Sequence, residues 1–151
     1  MKVLVQNNQK DLKIKALQVK QLVKEALDFK KVPTKTVSIY FVTKKTISAL
    51  HDEFFNDPSP TDCISFPLDP SDDEPDELSC LGEIFVCPKV AIEYASSENL
   101  PVNEEVSLYI IHGLLHLIGY DDITEIERKV MRSEEKKIMN HLKKQKLILE
   151  V

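Results

Sequence analysis

What the chain lacks narrows its class before any motif is read. Its three cysteines, Cys63, Cys80 and Cys87, are an odd number and no two form Cys-x-x-Cys. That leaves neither a disulfide framework nor a thiolate metal site, and all three read as small buried apolar residues. No apolar run reaches the roughly 18 residues of a membrane-spanning helix. The first residues, Met1-Lys2-Val3-Leu4-Val5-Gln6-Asn7, turn polar too soon for a signal peptide. These absences predict a cytosolic protein with no membrane partner. Repeats and low-complexity linkers are missing too, so residues 1–151 read as one domain. A chain of this length buries about two-thirds of its unfolded surface without covalent staples.

Positive charge is nearly missing from the middle of the chain. Residues 51–122 hold Lys89 alone against 17 acidic groups, whereas residues 1–50 hold 11 lysines against 3 acidic groups. The net charge of −5 hides this segregation. Lys10, Lys13, Lys15, Lys20, Lys24, Lys30 and Lys31 could form a face that neutralises phosphates, or simply the solvated side of a helix, and the second reading is the simpler. From Asp69 to Glu77 the acidic, proline-bearing composition predicts a solvated loop without the spacing of an EF-hand.

Periodicity places the elements. Val3 to Val5 is a short strand, and apolar residues recurring near every 3.6 positions predict a helix from about Asp11 to Phe29. Thr36 to Val42 is β-branched and aromatic, a second strand, and a short helix over Ile47 to Phe55 follows. Residues 61–67 and 81–88 are strand-like runs ending at proline, Lys89 to Ser97 is helical, and Ile123 to about Lys144 forms a charged final helix. Between these last two, Asn103-Glu104-Glu105 reads as the capped start of a nearly all-apolar helix. The order predicts an α+β fold, a small mixed β-sheet packed against several helices, with a metal site on a buried helix.

That site is read from His112-Gly113-Leu114-Leu115-His116-Leu117-Ile118-Gly119-Tyr120-Asp121-Asp122. Residues four apart share a helix face, so His112 and His116 can point at one ion. Gly119 permits the left-handed turn that ends helices, after which Asp122, six residues beyond His116, can close the triangle. The spacing is that of metzincin proteases with Asp122 in place of their third His. Asp121 is the competing third ligand, and the six-residue interval favours Asp122. Two core histidines would be the plain alternative for the pair alone. Three protein ligands leave a tetrahedral Zn²⁺ with one open position, and zinc lowers the pKa of water held there from about 15.7 to about 7. Hydrolysis is the implied chemistry, and no catalytic group beyond that water is assigned. Zinc peptidases of the His-Glu-x-x-His type carry their general base where this chain has Gly113. Phosphodiester hydrolysis is favoured over proteolysis for that reason. His51 has no cysteine assigned beside it, and His141, among C-terminal lysines, reads as solvated.

Three segments together, Thr61-Asp62-Cys63-Ile64-Ser65-Phe66-Pro67, Leu81-Gly82-Glu83-Ile84 and His112 to Asp121, resemble the YbeY family of bacterial endoribonucleases in order and spacing. The resemblance implies one zinc ion per chain and a single-strand endoribonuclease. It also implies a ribosomal RNA precursor as substrate, the 3′ end of the small-subunit RNA in particular, and a place in ribosome quality control with the ribosome or its small subunit as partner. The family motif usually closes with a third His where this chain has Asp122. It also commonly has Asn after a leucine and Arg four residues later, where this chain has His51 and Phe55. An arginine there could bind phosphate. Thr61, Asp62 and Ser65 either line a cleft or make a turn and a strand edge. A non-catalytic ribosome-assembly factor with a structural metal is the alternative function.

Overall fold

A computed structural model describes residues 2–33, 36–68 and 80–150. The acidic stretch read as a loop, 69–77, lies outside the described residues. Nine elements follow in the expected order: β1 (Lys2–Asn7), α1 (Ala16–Phe29), β2 (Thr36–Phe41), α2 (Lys44–Phe55), β3 (Cys63–Pro67), β4 (Cys80–Val86), α3 (Pro88–Glu98), α4 (Val102–Leu117) and α5 (Glu125–Lys144). The four strands form one mixed sheet in the order β1-β2-β4-β3. β1, β2 and β4 run parallel, and β3 is the antiparallel edge. The protein is a mixed α+β domain, as its periodicity predicts.

Side-chain alternation along the strands decides which face carries the helices. Val37, Ile39 and Phe41 of β2, with Ile84 and Val86 of β4, are fully buried in the main core. α1 joins them in that core with Val19, Leu22, Val23, Ala26 and Leu27, one apolar stripe at helical spacing, and packs on β1 beside them. α4 runs through the middle of the domain and packs on β3, β4, α1, α3 and α5. Burial on nearly every side is why its sequence is apolar almost all round. Glu105, Leu108, His112 and His116, spaced as one stripe, are only partly buried. Beyond the first turn, that stripe is where the helix opens to solvent.

Several boundaries move for local reasons. α1 starts at Ala16 instead of Asp11. The Gln9 side chain bonds both the carbonyl and the N–H of Leu12, at 2.8 and 2.9 Å, and holds that stretch out of the helix. α2 starts earlier than its apolar pattern implies, because the Thr43 hydroxyl caps Thr46 N–H. Asn103 is no cap: α4 begins at Val102, with Pro101 in the cap position and Glu104 and Glu105 in the first turn. α5 opens with a reciprocal capping box between Thr124 and Glu127.

Candidate metal centre

The turn after α4 aims the third side chain. Gly119 adopts φ +108°, a conformation L side chains rarely take. Tyr120 N–H donates to Leu115 O at 2.9 Å and Gly119 N–H to His116 O at 3.2 Å. This pair of bonds is the Schellman ending, and it satisfies carbonyls the helix leaves open. The reversed chain brings Asp122 back over the two imidazoles.

The resulting triangle is compact. His112 Nε2 and His116 Nε2 stand 3.1 Å apart, and Asp122 Oδ2 lies 3.5 Å from each. Donor atoms at about 2.0–2.1 Å from a tetrahedral Zn²⁺ would be roughly 3.3 Å apart, so the observed edges suit that ion without rearrangement. His112, His116 and Asp122 thus form a group that could hold a metal ion. Asp121 is exposed and lines the same cleft, but it does not join the converging set.

A fourth residue escaped the sequence reading. Glu135, on α5, places Oε1 2.7 Å from His112 Nδ1. A carboxylate oxygen accepts, so Nδ1 carries the proton and the lone pair on Nε2 faces the other two ligands. Metal-bound histidines are commonly oriented by this kind of partner. The signal was available in α5: Met131, Ile138 and Leu142 are its buried stripe, and Glu135 falls within it at helical spacing. An acid in an apolar stripe needs a partner. Burial by itself would lower the His112 pKa, but hydrogen bonding and charge from Glu135, aided by Asp62 and Asp122, outweigh it and raise the value.

The triangle opens into a cleft of about 420 Å³. Thr61, Asp62 and Ser65 all line it, and both sequence readings hold in part because β3 is also a sheet edge. Ser65 Oγ donates to Gly113 O at 3.2 Å and ties that edge to α4. Asp62 Oδ1 accepts from Cys63 N–H at 2.7 Å and from Thr61 Oγ1 at 3.3 Å. His51 and Phe55 of α2 line it too. Cys63 lies in the cleft as well, only partly buried, as is Cys80; Cys87 alone is fully buried. Burial and then the charges of Asp62, Glu135 and Asp122 push the Cys63 thiol well above its ordinary value, which keeps it protonated and a poor nucleophile. His141 is not solvated: its Nε2 meets Glu25 Oε1 at 2.8 Å and its ring stacks on Phe29.

Gly113 has a structural reason to lack a side chain. A Cβ there would stand 2.7 Å from Ile84 Cγ2, so the position faces the sheet and not the cleft. Glutamate could not serve there as a peptidase base, since its carboxylate would be driven into the core.

A family model, described as Endoribonuclease YbeY, matches residues 4–143. The chain belongs to the YbeY family. Among curated relatives, the Endoribonuclease YbeY of Protochlamydia amoebophila is 48% identical over 143 residues, covering 95% of this chain and 94% of its own length. The protein of the same name from Chlamydia felis is 41% identical over 152 residues, covering 99% and 96%. A protein from Thermotoga maritima, solved in solution, shares the fold with a TM-score of 0.63 at 27% identity, over 91% of this chain and 87% of that one. Among the described residues no helix is long and apolar enough to cross a membrane.

Proposed function

We propose that the chain acts as a single metal-dependent endoribonuclease domain that cuts single-stranded RNA in the maturation of ribosomal RNA precursors, at the 3′ end of the small-subunit RNA, and takes part in ribosome quality control in the cytosol. The observation that carries this reading is the triangle of His112, His116 and Asp122 at tetrahedral spacing, in a chain whose relatives are named endoribonucleases. Two imidazoles and a carboxylate suit Zn²⁺.

Zinc bound there would supply Lewis acidity and an activated water. The protein supplies the rest. Glu135 fixes the tautomer of His112, and the Gly119 turn delivers Asp122. Burial of α4 keeps the two imidazoles from drifting, which a reacting site requires. Asp62, on the cleft lining, is positioned by one carboxylate oxygen, which accepts from Cys63 N–H and Thr61 Oγ1.

A second reading, an assembly factor with a structural metal, draws support from the cleft lining, where no lysine or arginine is found among the described residues. Elemental analysis of wild type and Asp122→Ala, with single-stranded RNA cleavage on the same samples, separates the two. Near-stoichiometric zinc that falls in the variant together with cleavage is the expected result. Full zinc without cleavage in wild type would favour the assembly factor.

A further inference from the structure

We propose that His51 and Phe55, the α2 wall of the cleft, form a stacking subsite for an unpaired nucleobase of the RNA whose phosphate reaches the metal group. The inference rests on the endoribonuclease reading and adds to it how the strand is gripped.

The cleft offers phosphates little. Asp62, Asp121 and Asp122 line it, and among its described lining residues there is no lysine or arginine. Backbone contacts to cationic side chains usually dominate nucleic-acid affinity. The described lining itself supplies no such side chain, so the grip it can offer beside an ion in the triangle is on the bases.

Ring surface is what the cleft does offer. Phe54 and Phe55 end α2, with 54% and 55% of their surfaces exposed. Phe54 is anchored, packing edge-on against Phe66 at 4.8 Å. Phe55 instead lines the cleft, and its ring neighbour is His51, at 5.6 Å with an interplanar angle of 51°. A tilted pair at that separation leaves ring faces uncovered. His51 is held in place, because its Nδ1–H donates to Ser59 O at 2.8 Å. Ser59 is held in turn by Asp57 Oδ1, which accepts from its N–H at 2.9 Å and from its hydroxyl at 2.6 Å. A fixed ring costs little entropy to stack upon.

A fixed ring and an exposed ring thus line the same cleft as the metal group. Aromatic faces accept every base, since each has a π surface. An unpaired strand can present a base this way, while a duplex keeps its bases stacked. The arrangement gives a preference for single strands that needs no cationic side chain among the described lining residues.

The test uses the full, metal-loaded chain and a short single-stranded RNA with 2-aminopurine substituted at successive positions. The variants are Phe55→Ala and Phe55→Tyr. Binding to wild type should change the fluorescence of 2-aminopurine at one position, Phe55→Tyr should keep that signal and Phe55→Ala should lose it. For Phe55→Ala, KM for cleavage should rise about tenfold with kcat within about twofold, the scale of one lost stacking contact. Its metal content and urea midpoint should match wild type, because the ring is exposed. The subsite alone is overturned if wild type cleaves and Phe55→Ala binds and cleaves equally well, or if Phe55→Tyr fails as Phe55→Ala does. Wild type that neither binds nor cleaves the RNA overturns the endoribonuclease reading and the subsite with it.

Discussion

Alanine at Gly113 should destabilise this protein, although in most helices the same change stabilises. Gly→Ala in an unobstructed helix gains about 1 kcal/mol from propensity. Here the added Cβ would stand 2.7 Å from Ile84 Cγ2, 3.1 Å from Cδ1 and 3.2 Å from Cγ1. Ile84 is fully buried on β4, an interior strand, and a β-branched side chain there is stiff at χ1. It cannot swing aside, so α4 must lift off the sheet. Overpacking costs about 1–3 kcal/mol, and a 2.7 Å contact with a stiff neighbour takes the upper part of that range, about 2–3 kcal/mol, which leaves a net loss of about 1–2 kcal/mol after the propensity gain. For a chain of this size that is about 2–8 °C in Tm. Urea unfolding of Gly113→Ala, Ile84→Ala and the double variant tests the argument. Ile84→Ala alone should cost about 2–5 kcal/mol through the cavity it leaves. It also removes all three atoms that the new methyl would meet. Adding Gly113→Ala to that background should therefore return about 1 kcal/mol. Equal destabilisation by Gly113→Ala in both backgrounds would refute the reasoning, and so would a single variant as stable as wild type. Because lifting α4 carries His112 and His116 with it, metal affinity should fall in the single variant and partly recover in the double.

Glu135→Gln should lower metal affinity about 10–100-fold with the three ligands intact, read by competition with a chelator of known affinity. Asp122→Ala should lose bound metal on dialysis while Asp121→Ala keeps it, because Asp121 lies outside the converging group; elemental analysis gives the answer. The ion pair between Lys30 and Glu134, 2.6 Å apart and mostly shielded from water, should contribute about 1–3 kcal/mol, measured as the stability difference between wild type and Lys30→Met. The hydrogen bond from Lys30 holds the Glu134 carboxyl below its ordinary range, so this contribution is present above the unfolded value of about 4.3 and is lost as pH falls through the lower folded value. Lys30 itself is raised: burial would lower it, but its bonds to Glu134 and Tyr120 outweigh that. Its share is present below about pH 10.4 and lost as pH rises through the folded value. Urea midpoints of the two proteins should accordingly differ by a constant amount from about pH 5 to 10 and converge in acid.

Much of the architecture was legible because pattern and propensity agree along most of the chain. The 3.6-residue repeat in α1 and the β-branched run in β2 each satisfy local preference and the final core together. What escaped depends on partners distant in sequence. Glu25 meets His141, and Glu135 meets His112, through packing of helices that no local pattern announces. Gln9 illustrates the converse error, since Leu12 and Ile14 continue the apolar rhythm of α1 but pack against the core from non-helical backbone. Absence of glutamate beside His112 was read as missing chemistry, whereas contact with Ile84 explains it as steric necessity. Two imidazoles, the glycine turn and Asp122 were readable because their geometry is set within one helix end.

That locality affects how an ion and the fold are linked. His112, His116 and Asp122 fall within eleven consecutive residues, so even the unfolded chain keeps them within a short loop whose closure costs little entropy. A metal that also binds the unfolded chain stabilises the native state by less than its native affinity alone would give. The native advantage then comes from the helix that aligns the imidazoles and from Glu135, which joins only when α5 docks. Ion capture and core closure become separable events, and a chain can take its metal before α5 has docked.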